Sequence, residues 1–259
     1  MNKLFLLDAM ALIYRAHFAF MRNPRINSKG VNTGAVMGFT NTLVEVLTKE
    51  KPTHIGIAFD TAEPTFRHIE FKEYKANREE QPEDITVAIP YIYRLAEAFN
   101  IPVLVKPGFE ADDIIGTIAK RAARAGNFQV FMMTPDKDFA QLVEENIMLY
   151  RPAFLGNDAE TLGIEDVLKK FDIARVDQIV DLLGLQGDAS DNVPGIPGIG
   201  AKTAAKLLKE FDTVENLLAN TDKLKGKQRE KVEQFADQGL LSKKLVTINI
   251  DVPIDFDPE

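Results

Sequence analysis

Gly108-Phe-Glu-Ala-Asp-Asp-Ile-Ile-Gly-Thr-Ile-Ala-Lys-Arg-Ala-Ala-Arg-Ala-Gly-Asn-Phe-Gln-Val-Phe-Met-Met-Thr-Pro-Asp-Lys-Asp138 holds a helix, a turn and a strand with acids at both ends. Over Ala111–Ala125, Ile114, Ile115, Ile118 and Ala122 recur at helical spacing, while Lys120, Arg121 and Arg124 fall on the other side. Glu110, Asp112 and Asp113 suit the start of that helix on dipole grounds, and Gly126 suits its end. Gln129–Met133 is too short and too apolar for a surface helix and reads as a buried strand, followed at once by Asp136 and Asp138.

The same alternation runs N-terminally from this segment. Lys3–Leu7, His54–Phe59 and Pro102–Val105 are further short apolar runs, separated by helical patterns at Ala35–Thr48 and Asp84–Phe99, the second with Pro90 as an expected kink. Strands alternating with helices predict an α/β fold with a parallel central sheet and helices on its faces. From about Gly163 the strand signal fades. Helices are expected at Ile164–Phe171, Val176–Leu185, Ala201–Phe211, Val214–Ala219 and Lys227–Ala236. The domain reading is therefore an α/β core over 1–162, a helical region over 163–250, and a tail over 251–259. That tail is acidic, contains two prolines and reads as a linker out of a domain within a longer protein.

Composition narrows the chemistry. The 259 residues include no cysteine, which removes disulfides, thiolate metal sites and cysteine nucleophiles and fits a reducing compartment. An aspartate ends the first apolar run after four residues, so no signal peptide is expected. No apolar stretch approaches the roughly 20 residues that span a bilayer. The chain reads as cytoplasmic, with no membrane partner. Its net charge of −8 argues against nucleic acid when taken as a sum. Residues 200–231 nevertheless carry eight Lys/Arg against five Asp/Glu, so basic charge is gathered in one region.

Each predicted strand is followed by acids: Asp8, then Asp60, then Glu110, Asp112 and Asp113, then Asp136 and Asp138. The carboxyl ends of parallel strands line a common crevice. Asp188 and Asp191 could approach it from the helical part. Any one of these acids alone is an ordinary helix cap or turn residue. Together they repel unless cations intervene. An all-oxygen donor set, with His17, His54 and His68 elsewhere, suits Mg²⁺ or Mn²⁺ rather than Zn²⁺. Two such ions about 4 Å apart are an apparatus for phosphodiester hydrolysis.

Two further elements point to nucleic acid. Gly195-Ile-Pro-Gly-Ile-Gly-Ala-Lys-Thr-Ala204 opens a predicted helix with exposed backbone N–H groups but lacks nucleotide P-loop spacing. It matches a helix-hairpin-helix element that grips the DNA backbone without reading sequence, with Lys202, Lys206 and Lys209 along one side of the following helix. Tyr74-Lys-Ala-Asn-Arg78 places Lys75 and Arg78 one helical turn apart, where they could share a phosphate while Tyr74 stacks on a base. A solvated surface helix explains the same residues.

These motifs together resemble the flap endonuclease-like 5′-nuclease superfamily, most closely the N-terminal 5′→3′ exonuclease domain of bacterial DNA polymerase I. The matching stretches are Leu6-Leu-Asp-Ala with Tyr14-Arg-Ala-His, Ala58-Phe-Asp, Tyr74-Lys-Ala-Asn-Arg, Gly108-Phe-Glu-Ala-Asp-Asp, Thr134-Pro-Asp-Lys-Asp and the long run from Gly184 to Gly200. They cover about residues 3–250 in family order. The resemblance implies a PIN-like core with a helical arch near 70–100. It implies that Asp8, Asp60, Glu110 and Asp112 ligate one Mg²⁺, with Asp113 close by, and that Asp136, Asp138, Asp188 and Asp191 serve a second ion. Mn²⁺ can substitute, and K⁺ can sit at the hairpin.

It implies further that Lys75 and Arg78 polarise the scissile phosphate, that Tyr74 stacks on the displaced 5′ nucleotide and that Arg15 touches a phosphate. Gly195, Gly198, Gly200, Lys202, Thr203 and Lys206 are expected to hold the duplex. The implied function is 5′→3′ exonuclease and 5′-flap endonuclease activity by two-metal catalysis, in bacterial replication, primer removal and repair. The implied partner is DNA with a 5′ end or flap, or an RNA primer strand, bound by a monomer whose native chain can continue into a polymerase. Two alternatives stay open here: a PIN-type ribonuclease, and a DNA-binding module that has lost its chemistry.

Overall fold

The computed structural model describes residues 1–154 and 156–256, so the last three residues of the expected tail, 257–259, lie outside it. Its centre is a six-stranded sheet in the order β3-β2-β1-β4-β5-β6. The strands are β1 (Asn2–Asp8), β2 (His54–Ala58), β3 (Val103–Leu104), β4 (Phe128–Met133), β5 (Ile147–Arg151) and β6 (Glu160–Leu162). All neighbours pair in parallel except β5 and β6, which are antiparallel.

The two middle strands show why the runs looked continuously apolar. In β1, Leu4 and Leu6 enter one hydrophobic cluster while Phe5 and Leu7 enter another on the opposite face. In β4, Val130 and Met132 divide from Phe131 and Met133 in the same way. A strand buried on both faces has no polar side to show. The Phe5 cluster takes in α1 (Ala9–Phe20), α2 (Gly34–Glu45) and α4 (Glu83–Ala98), with Phe5 stacked on Phe131 at 4.7 Å. The other face receives α5 (Ala111–Arg124) and then, without a break, the helical region: α6 (Ile164–Phe171), α7 (Gln178–Gln186), α8 (Ala201–Phe211), α9 (Val214–Ala219), α10 (Gly226–Gln234) and α11 (Ala236–Val246). One apolar cluster thus runs from Leu4 to Val252 and fixes the helical region against the sheet edge.

Several expectations need correction. The sheet has two more strands than the four expected. A helix follows β1 at once, and the last helical stretch is two helices, α10 and α11, not one. Ala35–Thr48 becomes α2 continued by a π-helical turn over Val46–Glu50, and α4 passes through Pro90 without interruption. The expected arch near 70–100 is helical only in α4, preceded by the short α3 (Phe66–Glu70). Residues 71–82 form turns, with Lys75 in the left-handed region and Pro82 capping α4. The tail is no free linker as far as Phe256. Thr117 Oγ1 donates to Asn249 O and accepts from Val252 N, Arg121 donates to Val252 O and Ile254 O, and Phe256 packs on Phe128.

The hairpin between α7 and α8 depends on two glycines. Gly187 and Gly195 both have positive φ, +75° and +59°, and each backbone fills the space where the other's Cβ would lie. A methyl on Gly195 would come 2.4 Å from Gly187 N. Left-handed strain and a backbone clash add here. Gly195→Ala is expected to lower stability by about 2–4 kcal/mol, read as a shift of the urea midpoint at constant m-value. An unchanged midpoint would mean the hairpin relaxes freely.

Candidate metal and nucleic-acid site

The acids gather where the sheet ends. Asp8 closes β1, caps α1 through its Oδ1, which accepts from Ala11 N at 3.1 Å, and accepts from Thr134 Oγ1 beyond β4 at 2.9 Å. Asp60, two residues past β2, accepts from Ala111 N at the start of α5 at 2.9 Å. Glu110 is the N-cap of α5, and Asp112 lies in its first turn. Past β4, Asp138 N donates to Asp136 Oδ1 at 2.9 Å. Asp188 and Asp191 arrive from the loop after α7. So a cap or turn role and a place in the cleft coexist in the same side chains.

Their ionisation reports unmet charge. Burial, then the Asp60 charge, pushes Asp8 up to about 7. Burial, then Asp136 and Asp188, pushes Asp138 up to about 8. Burial also raises Asp60, Asp112 and Asp136. Asp138 Oδ1 is buried with no hydrogen-bond partner. Among the described residues, no three acids or histidines already close on one point as a ligand set. Basic side chains stand between them instead. Lys75 Nζ lies 2.7 Å from Glu110 Oε1, Arg78 lies 2.6 Å from Asp191 Oδ1, and Lys137 lies 2.8 Å from Asp188 Oδ2. Burial works against the charge on Lys75, but Glu110 and Asp191 raise its pKa. A hard, all-oxygen donor set with an orphaned carboxylate oxygen and unneutralised charge fits divalent cations.

Asp113 has another task. Fully buried, it receives Arg67 bidentately at 2.8 and 2.9 Å, and it also accepts from Glu110 N and Asn249 N. Its acceptor sites are spent, so the expected place beside a metal is corrected to a structural one. Arg67 itself, 1% exposed, also donates to Leu245 O and Thr247 O and lies 3.2 Å from Glu110. Sequence reasoning missed Arg67: in Thr65-Phe-Arg-His-Ile69 it stands among polar and apolar residues alike, with no local signal that it is buried.

Tyr74 is corrected as well. Its ring is buried, and its hydroxyl lies 3.1 Å from Glu110 Oε2 and 3.0 Å from Asp191 Oδ2, so no face is free to stack on a base. Arg15 donates to Pro152 O and Thr42 Oγ1 and covers the Phe154 ring, which binds α1 to α2 and to the end of β5 rather than to a phosphate. In the hairpin Gly195 faces inward, donating to Ser242 Oγ, while Gly198, Gly200, Lys202 and Lys206 are exposed and Thr203 is half-buried. Lys209 pairs with Asp172. No helix of the described residues is long and apolar enough to cross a membrane.

Comparison with known proteins agrees with this architecture. The family model "5′-3′ exonuclease, N-terminal resolvase-like domain" matches residues 3–172, and "5′-3′ exonuclease, C-terminal SAM fold" matches 174–259. The 5′-3′ exonuclease of Aquifex aeolicus is 39% identical over 259 residues, spanning 100% of this chain and 86% of that protein. DNA polymerase I of Bacillus subtilis is 46% identical over 256 residues, 98% of this chain. The chain spans 28% of that polymerase's length. Among solved structures, T5 5′-exonuclease with bound divalent metal ions (zinc) superposes with a TM-score of 0.78 at 20% identity, over 96% of this chain and 90% of its own. The catalytic core of Rad2 in complex with DNA substrate gives 0.60 at 18% identity, over 99% and 81%. At such identities these two likenesses bear on the fold.

The Arg67–Asp113 pair generates a test. Removing one partner of a buried ion pair strands the other charge, whereas replacing both with apolar groups does not. Arg67→Met is expected to lower stability by about 3–5 kcal/mol. Arg67→Met combined with Asp113→Leu is expected to be less destabilised than Arg67→Met alone. Additive losses in urea unfolding would remove the ion-pair account.

Proposed function

This chain belongs to the 5′-3′ exonuclease family, and from that premise we propose that it is a 5′-nuclease that cuts DNA at 5′ ends and 5′-flap junctions using two Mg²⁺ ions, for which Mn²⁺ can substitute. The observation that carries this reading is the set of acids gathered at successive strand ends, where burial and neighbouring carboxylates raise Asp8 to about 7 and Asp138 to about 8. Asp8, Asp60, Glu110 and Asp112 would hold one ion, and Asp136, Asp138, Asp188 and Asp191 the other. Bound there, divalent cations supply the charge that activates water and neutralises the leaving 3′-oxygen of a phosphodiester.

The chain's own residues do the rest. Lys75 and Arg78 stand at the mouth of the cleft on carboxylates that a metal would claim. Once freed from Glu110 and Asp191, they can stabilise charge on the scissile phosphate. Gly198 and Gly200 expose backbone at the N-terminus of α8, and Lys202 and Lys206 project beside them, a surface suited to duplex phosphates and to K⁺ at the turn. Tyr74 holds the Glu110 and Asp191 carboxylates close to one another. The physiological setting we assign is the replication and repair of bacterial DNA in the cytoplasm, including primer removal, by analogy with the polymerase relatives.

Cleavage of a 5′-labelled flap duplex, in Mg²⁺ and in EDTA, beside single-stranded RNA, tests the proposal. Mg²⁺-dependent cutting near the junction with the RNA spared is expected. In the same assay Asp112→Asn should reduce turnover by more than about a hundredfold while duplex binding persists. Full turnover by that variant, or metal-independent cutting, would overturn the metal assignment.

A further inference from the structure

Lys137 has a place in this cleft that neither the acids nor the phosphate contacts account for. It sits between Asp136 and Asp138 on the loop after β4, and its ammonium lies 2.8 Å from Asp188 Oδ2, in the loop after α7. Asp188 is 5% exposed, and its Oδ1 already accepts from Ser190 N and Ser190 Oγ. Among the described residues Lys137 supplies the donor to the remaining oxygen, and it comes from the sheet side of the junction. The loop carrying Asp188 is otherwise rigid, since Asp188 and Val193 exchange backbone hydrogen bonds. Asp191, the other acid on that loop, is met in the same manner by Arg78 and Tyr74.

We propose that Lys137 is a positioning residue for the second set of carboxylates: paired with Asp188, it is the built-in counter-ion that holds this acid beside Asp136 and Asp138, and a divalent cation would compete with it for Asp188. The inference rests on the reading of these acids as a metal site. The physical reason is like-charge repulsion. A helical region that brings two carboxylates up to a strand end already bearing two needs a cation at that seam. An ammonium on a flexible stem can serve and then leave, because its side chain is 42% exposed. A metal ion and the ammonium then compete for the same oxygen, so the lysine stabilises the empty site and weakens metal uptake.

Mn²⁺ binding by isothermal titration calorimetry, without DNA, tests this on wild type, Lys137→Met and Lys137→Arg. Thermal unfolding of each in EDTA and in saturating Mn²⁺ completes the set. Lys137→Met should bind Mn²⁺ about threefold or more tightly, melt below wild type in EDTA, and lose that deficit in saturating Mn²⁺. Lys137→Arg should stay close to wild type in all three. A partly exposed side chain whose loss merely disturbed packing would lower the melting point in both media and leave affinity alone. Unchanged or weakened Mn²⁺ affinity in Lys137→Met overturns the counter-ion role while leaving the metal site standing. Absence of Mn²⁺ uptake by wild type overturns both.

Discussion

Two like charges 4 Å apart repel by about 4 kcal/mol at an effective dielectric of 20, and this fold brings carboxylates from four strand ends and one helical loop to a single edge. Holding them there is the constraint that the surrounding structure answers. Arg67 neutralises Asp113 from inside the core, and Lys75, Arg78 and Lys137 do the same for Glu110, Asp191 and Asp188 from the cleft side. The interior guanidinium is permanent, with its hydrogen bonds and ion pairs made to buried carboxylates and to the carbonyls of Leu245 and Thr247. The three cleft-side cations are partly exposed and each makes an ion pair that solvent can replace. The division separates the charge balance that the fold needs from the charge balance that a metal and a phosphate can take over.

The second acidic set exists only because two parts of the chain share one core. Asp136 and Asp138 belong to the sheet, Asp188 and Asp191 to the helical region, and the apolar cluster from Leu4 to Val252 leaves little freedom between them. Close approach is built into backbone at this seam. A Cβ on Gly184 of α7 would lie 2.7 Å from Lys243 Cβ of α11, and Gly187 crosses Gly195 within the hairpin. Lys243 in turn bridges Asp181 and Glu215, tying α11 to α7 and α9. Packing that could slide by an ångström would separate the carboxylates by as much, so rigidity here is a condition of the chemistry.

How much of this was legible in the sequence depended on whether a signal was local. The strands at Lys3–Leu7 and Gln129–Met133 and the helices at Ile164–Phe171, Ala201–Phe211 and Val214–Ala219 are written in periodicity, and the acids at strand ends follow from order along the chain. Strand β6 was missed because it is three residues long with only Leu162 buried, and β5 was missed although its apolar run over 147–150 is as long as that of β2. Helix α11 was missed because Gly239 and a mixed face blur its period. The tail was misread because acidic residues and prolines outweighed Val252, Ile254 and Phe256, whose apolar side chains dock on the core. Nothing local told Asp112 from Asp113. Adjacent residues on a helix point about 100° apart, and only the position of Arg67, far away in sequence, decides which of them is spent on the core.

Tyr74 carries the same lesson into function. By residue type it suits stacking on a base. By position it is a buried ring whose hydroxyl reaches Glu110 from the sheet side and Asp191 from the helical side. A phenol donates one proton, so it cannot satisfy both carboxylates at once. The arrangement therefore favours a state in which at least one of them has another partner. Lys75 and Arg78 are those partners. The segment that carries Lys75 and Arg78 thus also bridges Glu110 on the sheet side and Asp191 on the helical side. A change at Tyr74, Lys75 or Arg78 therefore also changes what neutralises Glu110 and Asp191, so the cations and the acids of this cleft cannot be altered independently of one another.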